Sequence, residues 1–337
     1  MDFSITDEKI LVPQLMEQMS TLGFLVIKNI PDYNEEPYFY ALQKFHRLPE
    51  EIKRQMFLSK DNPENTNKYR GYQPFVNNDQ SHKEFYEEGP PLSEIEESEK
   101  KNFPLYEAQP FNPANLNFPE ANSIRAEFDA HNKLMMEVGM KLTRLLAIGL
   151  GKPFDYFDEW FVNGSLTTFR NIHYIPRSQS TVDNSKLDQD SLKLTTPAHS
   201  DSGFMTILTT FGYPGLQVLI DGVYRSIKPQ PGVITVNIGD LFAKITGYKL
   251  QSTFHRVLDI GRERWSAPCF MEPKYSARVP KVSIMESKRK SINDERYSSE
   301  DGFLYGDWLI KRFMTSYAEW KNFEVPANRK AAVDGIS

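Results

Sequence analysis

The stretch Thr196-Pro197-Ala198-His199-Ser200-Asp201-Ser202-Gly203-Phe204-Met205-Thr206-Ile207-Leu208 passes from a polar segment into a β-prone one. Side chains in extended backbone alternate faces with period two, so His199 and Asp201 share a face and Ser200 points away. The run Phe204–Phe211 has the apolar, β-branched and aromatic content of a strand. A distant histidine, His255, lies in another such run, Thr253–Leu258. Two imidazoles and one carboxylate brought together this way would fill one face of an octahedral metal ion and leave three positions open.

Around this stretch lie further short β-prone runs separated by Gly and Pro: Leu166–Tyr174, Leu216–Ile220, Val223–Ser226, Val233–Ile238 and Trp265–Met271. Many short strands with turn signals between them predict a sandwich or barrel. Helical periodicity marks the flanks. Apolar residues recur at helical spacing in Asp7–Leu22, Pro37–Leu48 and Pro49–Phe57, with a short β-prone run at Gly23–Ile27. Pro119–Gly151 reads as one long helix, its stripe carrying Phe128, Leu134, Met135, Val138, Leu142, Leu145 and Leu146. A last helix is expected over Tyr305–Trp320, followed by a polar tail, and Pro176–Thr196 reads as a polar surface loop.

Composition narrows the chemistry. The 337 residues are 39% hydrophobic and 25% charged, with 40 basic and 45 acidic side chains and a net charge of −5. Such a balance lacks the basic footprint of a nucleic-acid binder. One cysteine, Cys269, permits no internal disulfide and no multi-cysteine metal site, so any metal is held by nitrogen and oxygen. Cys269 itself reads as a small buried apolar residue. No stretch approaches the roughly 20 apolar residues of a membrane span, and the first ten residues lack a signal peptide's basic start and apolar run. A cytoplasmic enzyme is the expectation.

Several blocks carry a resemblance to a known family. Besides the opening stretch, these are Gly215-Leu216-Gln217-Val218, Pro231-Gly232 through Asn237-Ile238-Gly239-Asp240, Ser252-Thr253-Phe254-His255-Arg256-Val257, and Arg264-Trp265-Ser266 with Pro268-Cys269-Phe270. Upstream, Gly23–Val26, Lys68–Tyr72 and Phe169–Tyr174 fit as well. Taken in order, the chain resembles the Fe(II)/2-oxoglutarate-dependent dioxygenases of the isopenicillin N synthase-like branch over most of residues 1–275. The resemblance implies a mainly β fold with flanking α structure: a double-stranded β-helix (jelly-roll) core, an α-rich N-terminal region and a C-terminal helix. It divides the chain into an N-terminal region 1–117, a long helix plus catalytic core 118–280, and a C-terminal segment 281–337.

The same resemblance assigns roles. His199, Asp201 and His255 would hold iron. Arg264 would pair with the distal carboxylate of 2-oxoglutarate, where a planar guanidinium offers two parallel bonds, with Ser266 and Tyr174 as further contacts. Ile172 stands where plant relatives often carry asparagine. Asn237 and Asp240 are read as turn-shaping residues, His173 as a hydrogen-bonding core residue, and His46, His82 and His131 as structural. For the substrate, the expectation names Arg70, Tyr86, Glu88, Phe204 and Phe270, with Leu216 as a further wall residue. The Pro176–Thr196 loop is a candidate lid.

The implied activity couples oxidative decarboxylation of 2-oxoglutarate to hydroxylation, desaturation or ring closure of a small molecule in specialised metabolism. O₂ is the oxidant, and ascorbate is a candidate reductant. Two rival readings are an isopenicillin N synthase-type oxidase that uses no 2-oxoglutarate, and a non-catalytic binding protein on the same fold. A monomer without nucleic-acid or membrane partners completes the expectation.

Overall fold

The alternation of buried and half-buried residues along the central third of the chain builds two antiparallel sheets. In the computed structural model, residues 1–76, 81–102, 105–116, 118–176, 193–281, 283–285, 302–316, 320–321 and 323–336 are described. The strands are β1 (Phe24–Ile27), β2 (Tyr72–Gln73), β3 (Lys83–Glu88), β4 (Thr168–Tyr174), β5 (Leu194–His199), β6 (Met205–Thr209), β7 (Leu216–Ile220), β8 (Val223–Ser226), β9 (Ile234–Ile238), β10 (His255–Leu258), β11 (Arg264–Met271), β12 (Arg278–Pro280) and β13 (Gly302–Leu304). The helices are α1 (Glu8–Thr21), α2 (Glu35–His46), α3 (Glu50–Lys53), α4 (Glu97–Asn102), α5 (Ala121–Gly149), α6 (Asp240–Ile245), α7 (Tyr305–Ser316) and α8 (Lys330–Asp334).

The large sheet runs β1-β9-β6-β11-β4-β3-β2 and the small one β5-β10-β7-β8; β12 and β13 pair separately. From β4 to β11 the chain passes back and forth between the two sheets, the winding expected of a jelly roll. Phe24 and Leu208 of the large sheet pack with Leu216, Val218 and Val257 of the small one, so the sheets face each other. Residues upstream of position 118 contribute strands as well as helices: β1 pairs with β9, and β3 with β4.

Helices cover the outer face of the large sheet. Along α5 the buried residues Phe128, Met135, Val138, Leu142, Leu145 and Leu146 form the predicted stripe, while Leu134 lies at its half-buried margin. At Gly139 α5 packs tightly on the sheet, since a Cβ there would stand 2.5 Å from the Met271 sulfur and 3.0 Å from Ile207. Asp7 accepts a hydrogen bond from the Lys9 amide and caps α1.

The expected Tyr305–Trp320 helix is described as α7 over Tyr305–Ser316, with residues 317–319 outside the described residues. Two features depart from the sequence expectation. The short elements α6, α8 and the β12–β13 pair were not anticipated, because three to six residues are too few to show a period. Within the expected Pro176–Thr196 loop, residues 194–196 belong to β5, and the lid expectation for 177–192 lies outside the described residues. Among the described residues, no helix is long and apolar enough to cross a membrane.

Candidate metal centre

β5 and β10 lie side by side, and their register places His255 opposite His199. The regular strand ends at His199, so Asp201 sits in the turn to β6 rather than in an extended run. That turn is held by the Asp240 amide, which donates to the Asp201 carbonyl at 2.7 Å. His199 Nε2 and His255 Nε2 then stand 3.5 and 3.7 Å from Asp201 Oδ1, with ring centroids 4.3 Å apart. Each Nδ1 faces a backbone carbonyl, Pro197 O at 2.9 Å for His199 and Thr253 O at 3.1 Å for His255. Those carbonyls require the proton on Nδ1 and leave both Nε2 lone pairs directed at the space beside Asp201.

Asp201 is oriented in the same way. Its Oδ2 accepts from Thr206 Oγ1 at 2.5 Å and Asn237 Nδ2 at 2.8 Å, which turns Oδ1 toward the histidines. Burial pushes its carboxyl up, but the neighbouring imidazoles of His199 and His255 and the two side-chain donors outweigh this and hold it well below the carboxylate range. Burial lowers His255, whereas in His199 the Asp201 partner overcomes burial and raises it. Two imidazole nitrogens and a free carboxylate oxygen on one side, His199 being partly open to solvent, suit a divalent iron with open positions.

Two supports were under-read in the sequence. Asn237 acts on the carboxylate itself, beyond shaping a turn, and Thr206 was not singled out at all. Its signal lies in the sequence: Thr206 is the second residue of the strand that follows His199 and Asp201, a hydroxyl between Met205 and Ile207. Asp240 accepts from Ser200 Oγ at 3.0 Å and Ser252 Oγ at 2.6 Å, fastening the two segments that deliver the histidines. Gly239 is required there, because a Cβ would lie 2.2 Å from the Gly203 carbonyl.

The inner face of β11 and β4 carries the other assigned residues. Arg264 and Tyr174 are register partners, and the guanidinium lies 3.5 Å from the Tyr174 ring centroid. Ser266 is hydrogen-bonded to Tyr174. Burial raises the Tyr174 phenol, but the charges of Arg264 and Lys83 and the Ser266 bond bring it below its ordinary value. Arg264 is 4% exposed and donates to Thr195 Oγ1 at 3.1 Å across the sandwich. Among the described residues, no carboxylate lies within ion-pair distance of it.

The substrate expectation needs correction on four counts. Tyr86 and Glu88 point to the outer face of β3, against α5. Glu88 is 0% exposed, receives both Arg125 nitrogens at 2.6 Å, and accepts from Asn132 and the Tyr86 hydroxyl. Alternation puts Lys83, Phe85 and Glu87 on the inner face instead. The Lys83 ammonium lies 5.9 Å from the Tyr174 ring, and Arg170 pairs with Glu87 between the rings of Phe85 and Phe270. Arg70 is a buried fastener that donates to the Leu166 and Thr167 carbonyls and to Thr168 Oγ1. Phe204 stacks on Phe242 and packs against Phe157 and Trp160 in the core. Phe270 does share the inner face with Arg170, and Leu216 lies in the cluster between the sheets.

The fold and site together define an antiparallel β sandwich with two histidines and a carboxylate converging beside a buried, carboxylate-free arginine. Residues 168–273 match the model of the 2OG-Fe(II) oxygenase superfamily, and the chain carries a domain of that superfamily. A Dictyostelium discoideum protein bearing the name iron/ascorbate oxidoreductase is 30% identical over 199 residues, 55% of this chain and 54% of the relative. Gibberellin 20 oxidase 1 of Arabidopsis thaliana is 27% identical over 201 residues, 57% of this chain and 49% of the relative. The chain thus spans about half the length of these curated relatives. A Neurospora crassa protein crystallised with alpha-KG and thymine shares the fold, with a TM-score of 0.73 at 22% identity over 94% of this chain and 96% of that one.

Proposed function

We propose that this protein is a non-haem iron oxygenase that couples oxidative decarboxylation of 2-oxoglutarate to C–H oxidation of a small molecule. The observation that carries the reading beyond a metal site is Arg264. A buried cation is costly unless paired, and this one has no carboxylate partner among the described residues. A dicarboxylic co-substrate supplies the missing anion, and the fork of the guanidinium suits its distal carboxylate.

His199, Asp201 and His255 would hold the iron, which with 2-oxoglutarate and O₂ supplies the oxidising chemistry. The protein's own residues do the positioning. Thr206 and Asn237 fix the Asp201 carboxylate, and the Pro197 and Thr253 carbonyls fix the ring orientations. Arg264 with Ser266 and Tyr174 would orient the co-substrate, while Phe270 and the paired Arg170 and Glu87 form part of the wall for the substrate. The relatives' names support ascorbate as reductant and a small organic substrate.

The test is anaerobic titration of the Fe(II)-loaded full chain with 2-oxoglutarate, followed by measurement of succinate formed in air against a substrate panel. Binding that weakens by at least about 100-fold in Arg264→Ala, a loss of about 3 kcal/mol, is the expected result. Oxygen uptake with no succinate would assign the oxidase reading instead. A folded protein that takes up no Fe(II) would assign a binding role.

A further inference from the structure

On the outer face of the large sheet, one residue away from the proposed co-substrate contacts, lies a second group of two histidines and a carboxylate. His46, Glu84 and His173 bring their ligand-type atoms within 4.8 Å of one another. The registers tie this group to the inner face. Tyr174 pairs with Lys83 and Arg264, and the adjacent His173 pairs with Glu84 and Trp265. His173 Nδ1 lies 2.8 Å from Glu84 Oε1, and its Nε2 lies 2.8 Å from Glu263 Oε1. The ring is stacked on Trp265 at 4.9 Å and 9°.

This is not a metal site in waiting. An imidazole that faces a carboxylate oxygen through each nitrogen has both nitrogens engaged and none free for an ion. The Lys53 ammonium already occupies Glu84 Oε2 at 3.2 Å. His46 Nε2 faces the Asn171 carbonyl at 3.2 Å, and its Nδ1 lies 3.1 Å from the Tyr72 hydroxyl. Arg47 reaches Glu263 at 3.8 Å from the solvent side.

Arg264 is the first residue of β11, Tyr174 the last of β4 and Lys83 the first of β3. All three therefore stand at strand ends, where ladder bonds are fewest and fraying is expected. The Glu84–His173–Glu263 chain joins those three ends from the opposite face, and Glu263 immediately precedes Arg264. We infer that this chain is a positioning clamp that holds Arg264 and Tyr174 in register and thereby sets the affinity for 2-oxoglutarate. The inference rests on the functional reading above.

Glu263 is partly exposed, which makes it the residue to change. In the Fe(II)-loaded full chain under anaerobic conditions, Glu263→Ala should raise the calorimetric Kd for 2-oxoglutarate roughly tenfold, since misplacement of a binding group by a fraction of an ångström carries such costs. Fe(II) affinity and thermal midpoint should stay as in the wild type, and Glu263→Gln, which keeps an acceptor oxygen, should recover most of the binding. A folded Glu263→Ala protein with wild-type Kd would overturn the clamp alone. An equal loss of Fe(II) affinity would overturn it too, by showing a general structural effect. So would a tightly held divalent ion that persists in Asp201→Ala and disappears in His46→Ala. Wild-type protein that binds Fe(II) but no 2-oxoglutarate would overturn the functional reading and the clamp with it.

Discussion

The molecule contains two clusters of the same composition, and their chemistry is opposite. His199, Asp201 and His255 have each Nδ1 on a backbone carbonyl and Asp201 Oδ2 on two donors, so both Nε2 atoms and Oδ1 converge with nothing between them. In the other cluster, Glu84 is shared by His173, Lys53 and Tyr72, with His46 close by, and every convergent atom has a partner. The difference teaches that residue types and proximity do not define a metal centre. What matters is which lone pairs the surrounding hydrogen bonds leave free.

The largest effect that sharpens this contrast is on metal binding. Asp201→Ala should abolish tight Fe(II) uptake, a loss beyond the roughly 10–100-fold typical of second-sphere changes, while His46→Ala should leave uptake on the folded fraction intact. Equilibrium dialysis of both variants checks it, and equal losses would erase the distinction between the clusters.

The next effect is on stability. Removing Glu84 strands Lys53 and two histidines in the interior, so Glu84→Ala should cost about 3–5 kcal/mol of unfolding free energy. Denaturant titration reads this directly. A variant of wild-type stability would mean that the buried cluster is not the saturated network its contacts describe.

The smallest effect is a response to acid. Burial lowers His46, and burial alone lowers His131, stacked on Tyr38, to about 3 from an ordinary 6.5. A histidine with a depressed folded value binds its proton more readily when unfolded. Its contribution is therefore present above pH 6.5 and lost as pH falls. Between pH 6.5 and 4.5 His131 by itself should reduce stability by up to about 1.4 kcal/mol per pH unit. Unfolding curves at stepped pH, with His131→Leu as the flattened control, test it.

Much of the site was legible because its blocks are local. The H-x-D pair, the Asn237–Asp240 turn and the Arg264–Ser266 pair each fall within a few residues, although strand alternation ties only Arg264 and Ser266 to one face, Asp201 lying in the turn after β5 and Asp240 opening α6. Glu88 was misread for a related reason. Alternation says that Lys83 and Glu84 face opposite ways, but composition does not say which way is inward. That depended on α5, which supplies Arg125 and Asn132 to the outer side of β3. Arg70 was likewise indistinguishable from a binding arginine until the Leu166 and Thr167 carbonyls were found beside it.

By itself the sequence determined the strand-rich core and the long helix, since these follow from periodicity, whereas the candidate ligand set came from the resemblance of its blocks to a known family. The tertiary structure alone decided which of two His–His–carboxylate clusters is open and that, among the described residues, the buried Arg264 has neither a carboxylate nor the backbone carbonyls that hold Arg70. Both depend on partners far apart in the chain, such as Thr195 for Arg264 and Asn237 for Asp201, and free lone pairs are a property of packing that no local pattern encodes.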